Sequence, residues 1–222
     1  DPAAQVPATV TVAAGATSTS FTVTTGVVTV LTEVTITASY GGTSRQAALI
    51  VTPPAGDVLF SDDFTGLSGA DPLWTTVMGS WSVTDGVMYG SSPAGAYGYA
   101  RTGASWTDYS VEARIQFPPE GNRGGLGGRL NPATGAHYGV WIYPGLNAVK
   151  LWKFRNWSSY APTPMAQAIL PAVGTAWHTL KVTFQGTRIL VSVDGVQLID
   201  VTDDGFDSRP ALTAGEVSLD MW

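Results

Sequence analysis

The chain of 222 residues contains no cysteine. Disulfide staples, thiolate nucleophiles and Cys-based zinc sites are therefore all excluded. It is also poor in charge, with Asp, Glu, Lys and Arg making up 13% of residues, about half the usual share. The eleven basic residues are scattered and the formal charge is −6, which argues against nucleic acid or an anionic membrane as partner. No apolar run approaches the roughly 18 residues of a membrane helix, and no signal peptide is visible. Histidine occurs only at His137 and His178, and glutamate only at Glu33, Glu112, Glu120 and Glu216. No segment shows a 3.6-residue apolar period with caps, so helices are not expected.

What is present is alternation. From Ser105 to Tyr143 three strand-like runs follow one another, SWTDYSVEARIQF, GGLGGRL and HYGVWIY. In the first, Val111, Ala113, Ile115 and Phe117 share one face and Glu112, Arg114 and Gln116 the other, the mark of a half-buried antiparallel strand. Leu180, Val182 and Phe184 alternate in the same way. Asp194-Gly195 between Arg188–Val193 and Val196–Val201 is a two-residue hairpin signal, since both turn positions require positive φ. The fold class is all-β, a two-sheet antiparallel sandwich.

Composition changes at Pro53-Pro54-Ala55-Gly56, and all eight Trp lie beyond it. Paired prolines donate no ladder hydrogen bonds, so 53–56 reads as a short stiff linker. Residues 1–52 offer four strands, at Thr9–Val12, Ser20–Val23, Glu33–Tyr40 and Arg45–Val51. The phrases VPATVTVAAGATSTSFTVTT and RQAALIVTP resemble the bacterial immunoglobulin-like repeats of surface and secreted proteins. Four strands make only part of such a repeat, which has about seven.

Residues 57–222 resemble the concanavalin A-like jelly roll in its laminin-G-like and carbohydrate-binding-module branch. The resemblance rests on Asp62-Asp63-Phe64, the run Trp81 to Val87 (WSVTDGV), WTDYSVEAR, GGLGGR, and His137-Tyr138 with Val140. It continues through Lys150 to Lys153 (KLWK), Trp177 to Val182 (WHTLKV), Val193 to Val196 (VDGV) and Ala214 to Leu219 (AGEVSL). It covers nearly the whole segment and specifies fold more than ligand. Family members usually finish with one more strand, so an edge completed by another chain, or by residues 1–52, is expected here.

The hairpin 138–154 permits a register test. With Pro144 to Asn147 as a four-residue loop, Tyr143 opposes Ala148, Ile142 meets Val149 and Val140 meets Leu151. Trp141 then meets Lys150, and Gly139 meets Trp152, on the opposite face. One register sorts both strands into an aliphatic face and an aromatic face bearing a cation. Flat rings beside hydrogen-bond donors suit a sugar, so Trp141, Lys150 and Trp152 form a candidate carbohydrate platform, with Arg129, Trp157 and Tyr160 as extensions. The alternative is that these tryptophans only cover the sheet or a neighbouring domain.

Glucanases share this fold, and retaining hydrolysis needs two carboxyl groups about 5 Å apart, which related enzymes set at i, i+2 or i, i+4 on one strand. None of the four glutamates is expected to have an acidic neighbour so placed, and Glu112 is expected to pair with Arg114. His178 reads as structural. Two acidic clusters invite calcium: Asp62-Asp63, favoured because related jelly rolls often hold a structural calcium near their termini, and Asp200 to Asp207. The function expected is a non-catalytic, lectin-like carbohydrate-binding module of a secreted or surface bacterial protein, with an immunoglobulin-like spacer and a polysaccharide or glycan as partner. The alternative is an adhesive or filament subunit completed by strand addition from copies of itself or adjacent domains.

Overall fold

The computed structural model describes residues 2–26, 28, 32–51, 57–119 and 123–222. The proposed linker at 53–56 and Glu120 therefore lie outside the described residues. The chain divides into two compact units, Asp1–Ser61 and Asp62–Trp222.

In the first unit, β1 (Ala4–Gln5) pairs with β2 (Thr24–Thr25), and β3 (Thr32–Tyr40) pairs with β4 (Thr43–Val51). The second pair turns through Gly41 and Gly42, both at positive φ (57° and 77°), a conformation that glycine adopts without steric cost. The strands expected at Thr9–Val12 and Ser20–Val23 do not form, and residues 5–22 are exposed throughout. Alternation makes a strand only where a partner ladder exists, and the described residues supply none there. A small core joins Ala3, Ala4, Val34 and Val51.

The second unit runs β5 (Thr75–Met78), β6 (Ser80–Thr84), β7 (Val87–Ser91), β8 (Gly98–Arg101), β9 (Tyr109–Ile115), β10 (Gly124–Leu130), β11 (His137–Tyr143), β12 (Ala148–Asn156) and β13 (Ser159–Tyr160). It continues with β14 (Ala166–Ile169), β15 (His178–Gln185), β16 (Arg188–Val193), β17 (Val196–Thr202) and β18 (Glu216–Met221). The larger sheet has the order β13-β12-β11-β10-β18-β8-β5, with β14 also pairing β12; the smaller has the order β17-β16-β15-β9. All pairings in both sheets are antiparallel, so the unit is a two-sheet jelly-roll sandwich. Strand β18 lies between β10 and β8, paired on both sides. The outer edges of the smaller sheet are β9 and β17.

The β11–β12 register is the one expected, from Tyr143 opposite Ala148 to Gly139 opposite Trp152. Val140, Ile142, Val149 and Leu151 are enclosed in the core, where they meet Leu180, Val182 and Phe184 of β15. Each such side chain contributes roughly 1.5–3 kcal/mol by leaving water. The Asp194-Gly195 turn has both residues at positive φ (52° and 79°), as the hairpin requires.

A polar set is enclosed with this core. Lys153 and Asp203, each 2% exposed, pair at 2.6 Å, and Tyr138 donates its hydroxyl hydrogen to the same carboxylate. Burial alone would raise the Asp203 pKa, but the Lys153 and Tyr138 hydrogen bonds outweigh it and hold it below the usual carboxylate value. Asp207 binds Arg155 and Asp200 binds Arg188. The acidic cluster 200–207 is thus met by the protein's own cations at these three positions.

Candidate functional site

Side chains that alternate away from the sandwich core build a second cluster on the other face of the larger sheet: Tyr99, Trp141, Tyr143 and Phe154, with Tyr97, Trp152, Trp157 and Trp222 against it. The period of two places Trp141 and Tyr143 of β11 beside Lys150, Trp152 and Phe154 of β12. These five line an open groove of about 220 Å³, together with Tyr160 of β13, Tyr97, Arg123, and Leu146 from the turn between β11 and β12.

The aromatic floor is held from below. Trp141, 3% exposed, donates its indole N–H to Asp220 Oδ2 at 3.1 Å. His137 Nε2 lies 3.1 Å from the same oxygen, and Ser218 donates to Asp220 Oδ1 at 2.6 Å. Between Trp141 and Asp220 in the register stands Gly125, and the next cross-strand pair is Gly127 with Gly139. Glycine there is a packing requirement. A Cβ on Gly139 would come 2.8 Å from the Phe154 ring and 3.0 Å from Trp141 Nε1. One on Gly127 would come 2.1 Å from Ser218 Oγ.

Beneath the groove, Trp152 Nε1 and the Tyr99 hydroxyl are buried without a hydrogen-bond partner among the described residues. The Trp152 indole lies near enough to Tyr143 to draw its pKa partly back down, although burial keeps it raised overall. Burial, then the neighbouring Tyr160, pushes Tyr97 up to about 12. These phenols therefore stay protonated at neutral pH, able to donate.

Of the residues singled out from the sequence, Trp141, Lys150, Trp152 and Tyr160 line the groove. Trp157 packs instead against Tyr99, with ring centroids 5.4 Å apart, and over Gly135. Arg129 is a correction. A register shift in β10 between Gly127 and Leu130, with Arg129 at φ 51°, puts its guanidinium 5.0 Å from the Phe184 ring. There it donates to the carbonyls of Thr107, Gly186 and Leu212 and pairs with Asp108. It is 1% exposed and braces the core. Tyr143 and Phe154 were accessible to sequence reasoning, because each stands two residues from a tryptophan already placed on this face. Tyr97 and Arg123 were not, because segments far off in sequence bring them in.

The expectation for the carboxylates also changes. Glu216 and Asp220 stand four apart on β18, so one glutamate does have an acidic neighbour at that spacing. Each is committed, Glu216 to Arg101 at 2.7 Å and Asp220 to the network above. They are 7% and 3% exposed. Glu112 faces Lys181 across the ladder at 3.8 Å, while Arg114 lies over Trp177.

Asp62 and Asp63 are each engaged by the protein's own donors. Asp62 accepts from the Phe64 N–H and the Trp74 indole, both at 2.9 Å, and exposed Asp63 accepts from the N–H and hydroxyl of Thr65. The carboxylate beside Asp62 is Asp71, whose Oδ2 is buried without a partner. Its pKa is raised, first by burial and then by Asp62. Among the described residues no three His, Asp or Glu side chains gather as metal ligands, and calcium takes six to eight oxygens.

A family model described as a 3-keto-alpha-glucoside-1,2-lyase-like domain matches residues 57–222. No curated protein matches the chain. Among solved structures, the carbohydrate-binding module CBM66 from Bacillus subtilis is similar at 23% identity and TM-score 0.57, covering 71% of this chain and 89% of that one. The family GH16 endo-β-1,3(4)-glucanase SCLam is similar at 14% identity and TM-score 0.56, covering 74% and 80%. The Crh5 transglycosylase is similar at 16% identity and TM-score 0.56, covering 72% and 67%. These likenesses are of fold, a concanavalin A-like sandwich.

Proposed function

The chain belongs to the 3-keto-alpha-glucoside-1,2-lyase-like family, and within it we propose that this member binds carbohydrate in the aromatic groove without cleaving it. The observation that carries the proposal is the groove's inventory: rings, donors and two cations, with no carboxylate and no imidazole among the described lining side chains. A lyase acting on a 3-keto sugar needs a base that reaches the carbon beside the carbonyl. His137 and Asp220, the nearest such pair, are 0% and 3% exposed under Trp141 and Phe154, and are spent on each other and on their neighbours. A sugar ring needs a flat apolar surface for its C–H faces and donors for its hydroxyls. Trp152 and Tyr160, packed edge to face with ring centroids 4.9 Å apart, provide ring surface, and the tyrosine hydroxyls with Arg123 and Lys150 provide the donors. The carbohydrate-binding module among the similar structures supports this reading. With a glycan partner of this kind we propose a location outside the cell or on its surface. No helix among the described residues is long and apolar enough to cross a membrane.

The test has two arms, run on the whole chain. A glycan array and retention by insoluble polysaccharide should show binding, and incubation with 3-keto-glucosides and β-glucans should give no turnover. Turnover lost in Asp220→Asn would establish the lyase or hydrolase reading instead. It would give the Glu216–Asp220 pair a catalytic role.

A further inference from the structure

Taking the groove as a carbohydrate site, we propose that its ligand is an acidic glycan, whose carboxylate or sulfate ester seats between Arg123 and Lys150. Eleven Lys and Arg occur in the chain, and all but Arg45 lie beyond residue 56. Seven of those ten have a carboxylate within ion-pair distance: Arg101, Arg129, Lys153, Arg155, Lys181, Arg188 and Arg209. Arg114, Arg123 and Lys150 have none among the described residues. Arg114 lies over Trp177, away from the groove. The other two both line it.

These two cations converge. The Arg123 guanidinium carbon is 5.4 Å from the Tyr143 ring centroid and the Lys150 Nζ is 5.0 Å from the same centroid. Arg123 also stacks over Trp222 at 3.4 Å. Ring faces attract the cations modestly but accept few of their N–H hydrogens. An Arg carries five N–H donors and a Lys three, and neither side chain has a hydrogen-bond acceptor among the described residues. Two like charges on one aromatic ring repel, and no described residue in the wall neutralises them. In a chain where acids outnumber bases 17 to 11, pairing would be easy to supply. A cleft lined by one sign of charge instead concentrates a ligand of the opposite sign.

The donors of Arg123 and Lys150 are the unspent cationic groups among the residues that line the groove. An acceptor-only group such as a uronate carboxylate or a sulfate ester complements such a wall.

The proposal is tested with the whole chain on paired oligosaccharides, each neutral glycan beside its uronate and its sulfate-ester counterpart, at low salt and at about 1 M salt, where charges are screened within about 3 Å. The acidic members are expected to bind on the order of tenfold tighter, as one charge-assisted hydrogen bond allows, and to lose that advantage at high salt. Arg123→Gln and Lys150→Gln should each erase most of the acidic-over-neutral preference, and Arg114→Gln should change nothing. Which acidic member wins distinguishes carboxylate from sulfate. Neutral members bound as tightly as acidic ones would overturn the proposal and leave the carbohydrate site standing. Binding of neither kind would overturn both.

Discussion

Replacing Gly127 by alanine probes the packing under the groove floor. Its Cβ would come 2.1 Å from Ser218 Oγ and 3.0 and 3.1 Å from the two Asp220 oxygens. Ser218 is 1% exposed, and its hydroxyl is held at 2.6 Å by Asp220, so it cannot swing away without breaking that bond. Overpacking of this kind costs roughly 1–3 kcal/mol. Ser218→Ala alone loses one hydrogen bond to a carboxyl group, roughly 1–2 kcal/mol. In the double variant the offending oxygen is gone and the nearest remaining contact is with Asp220. The double variant should therefore be more stable than the two single costs imply, by about 1 kcal/mol or more, in the range of contacting residues. Urea unfolding of the four proteins measures this directly through the transition midpoint. Strictly additive costs, or an indifferent Gly127→Ala, would show that the glycine is not making room for the Asp220 network.

Two further predictions concern ionisation. Asp71 carries a raised pKa beside Asp62, so its ionisation removes stability as pH rises from the ordinary Asp value through the raised one. Asp71→Asn should thus raise the melting temperature at neutral pH, lose that advantage in acid, and leave EDTA without effect on either protein; a melting temperature lowered by EDTA would put a cation between the two carboxylates. His178 is raised by Asp194 and the Val173 carbonyl, and Asp194 is lowered by His178. The histidine's contribution is full below its unfolded pKa near 6.5 and is lost as pH rises through the folded value. The Asp194 contribution is lost in acid as pH falls through its lowered value. His178→Gln should therefore lower the melting temperature more at pH ~5.5 than at pH ~9, and an equal loss at both would leave the pair without a role.

Much of the fold was legible in local pattern. A two-residue Asp-Gly turn and a period of two fix which side chains share a face, and the β11–β12 register followed from its loop length alone. The first unit shows the limit. Thr9–Val12 alternates as well as any strand, but no ladder partner reaches it. In the site, Trp141, Lys150 and Trp152 were placed by register, whereas Arg129 was misread because a bulge in a glycine-rich strand leaves no pattern to count. Asp62 was read with its sequence neighbour Asp63, although its electrostatic partner Asp71 arrives from nine residues away. Tyr97 just before β8, Arg123 just before β10 and Asp220 on β18 meet only through the tertiary order β11-β10-β18-β8.

The central claim is that rings on the outer face of the larger sheet bind carbohydrate. Titration of the glycan best retained on the array into wild type, Trp152→Ala and Trp177→Ala tests it most directly. Trp152 stands in the groove with an unpaired N–H, and Trp177, 39% exposed, stands elsewhere. The account predicts a loss of roughly 1–3 kcal/mol in affinity for Trp152→Ala, in the range of binding hot spots, measured at a temperature where the variant remains folded. It predicts no change for Trp177→Ala. Equal affinity in all three proteins, or a loss confined to Trp177→Ala, would contradict it.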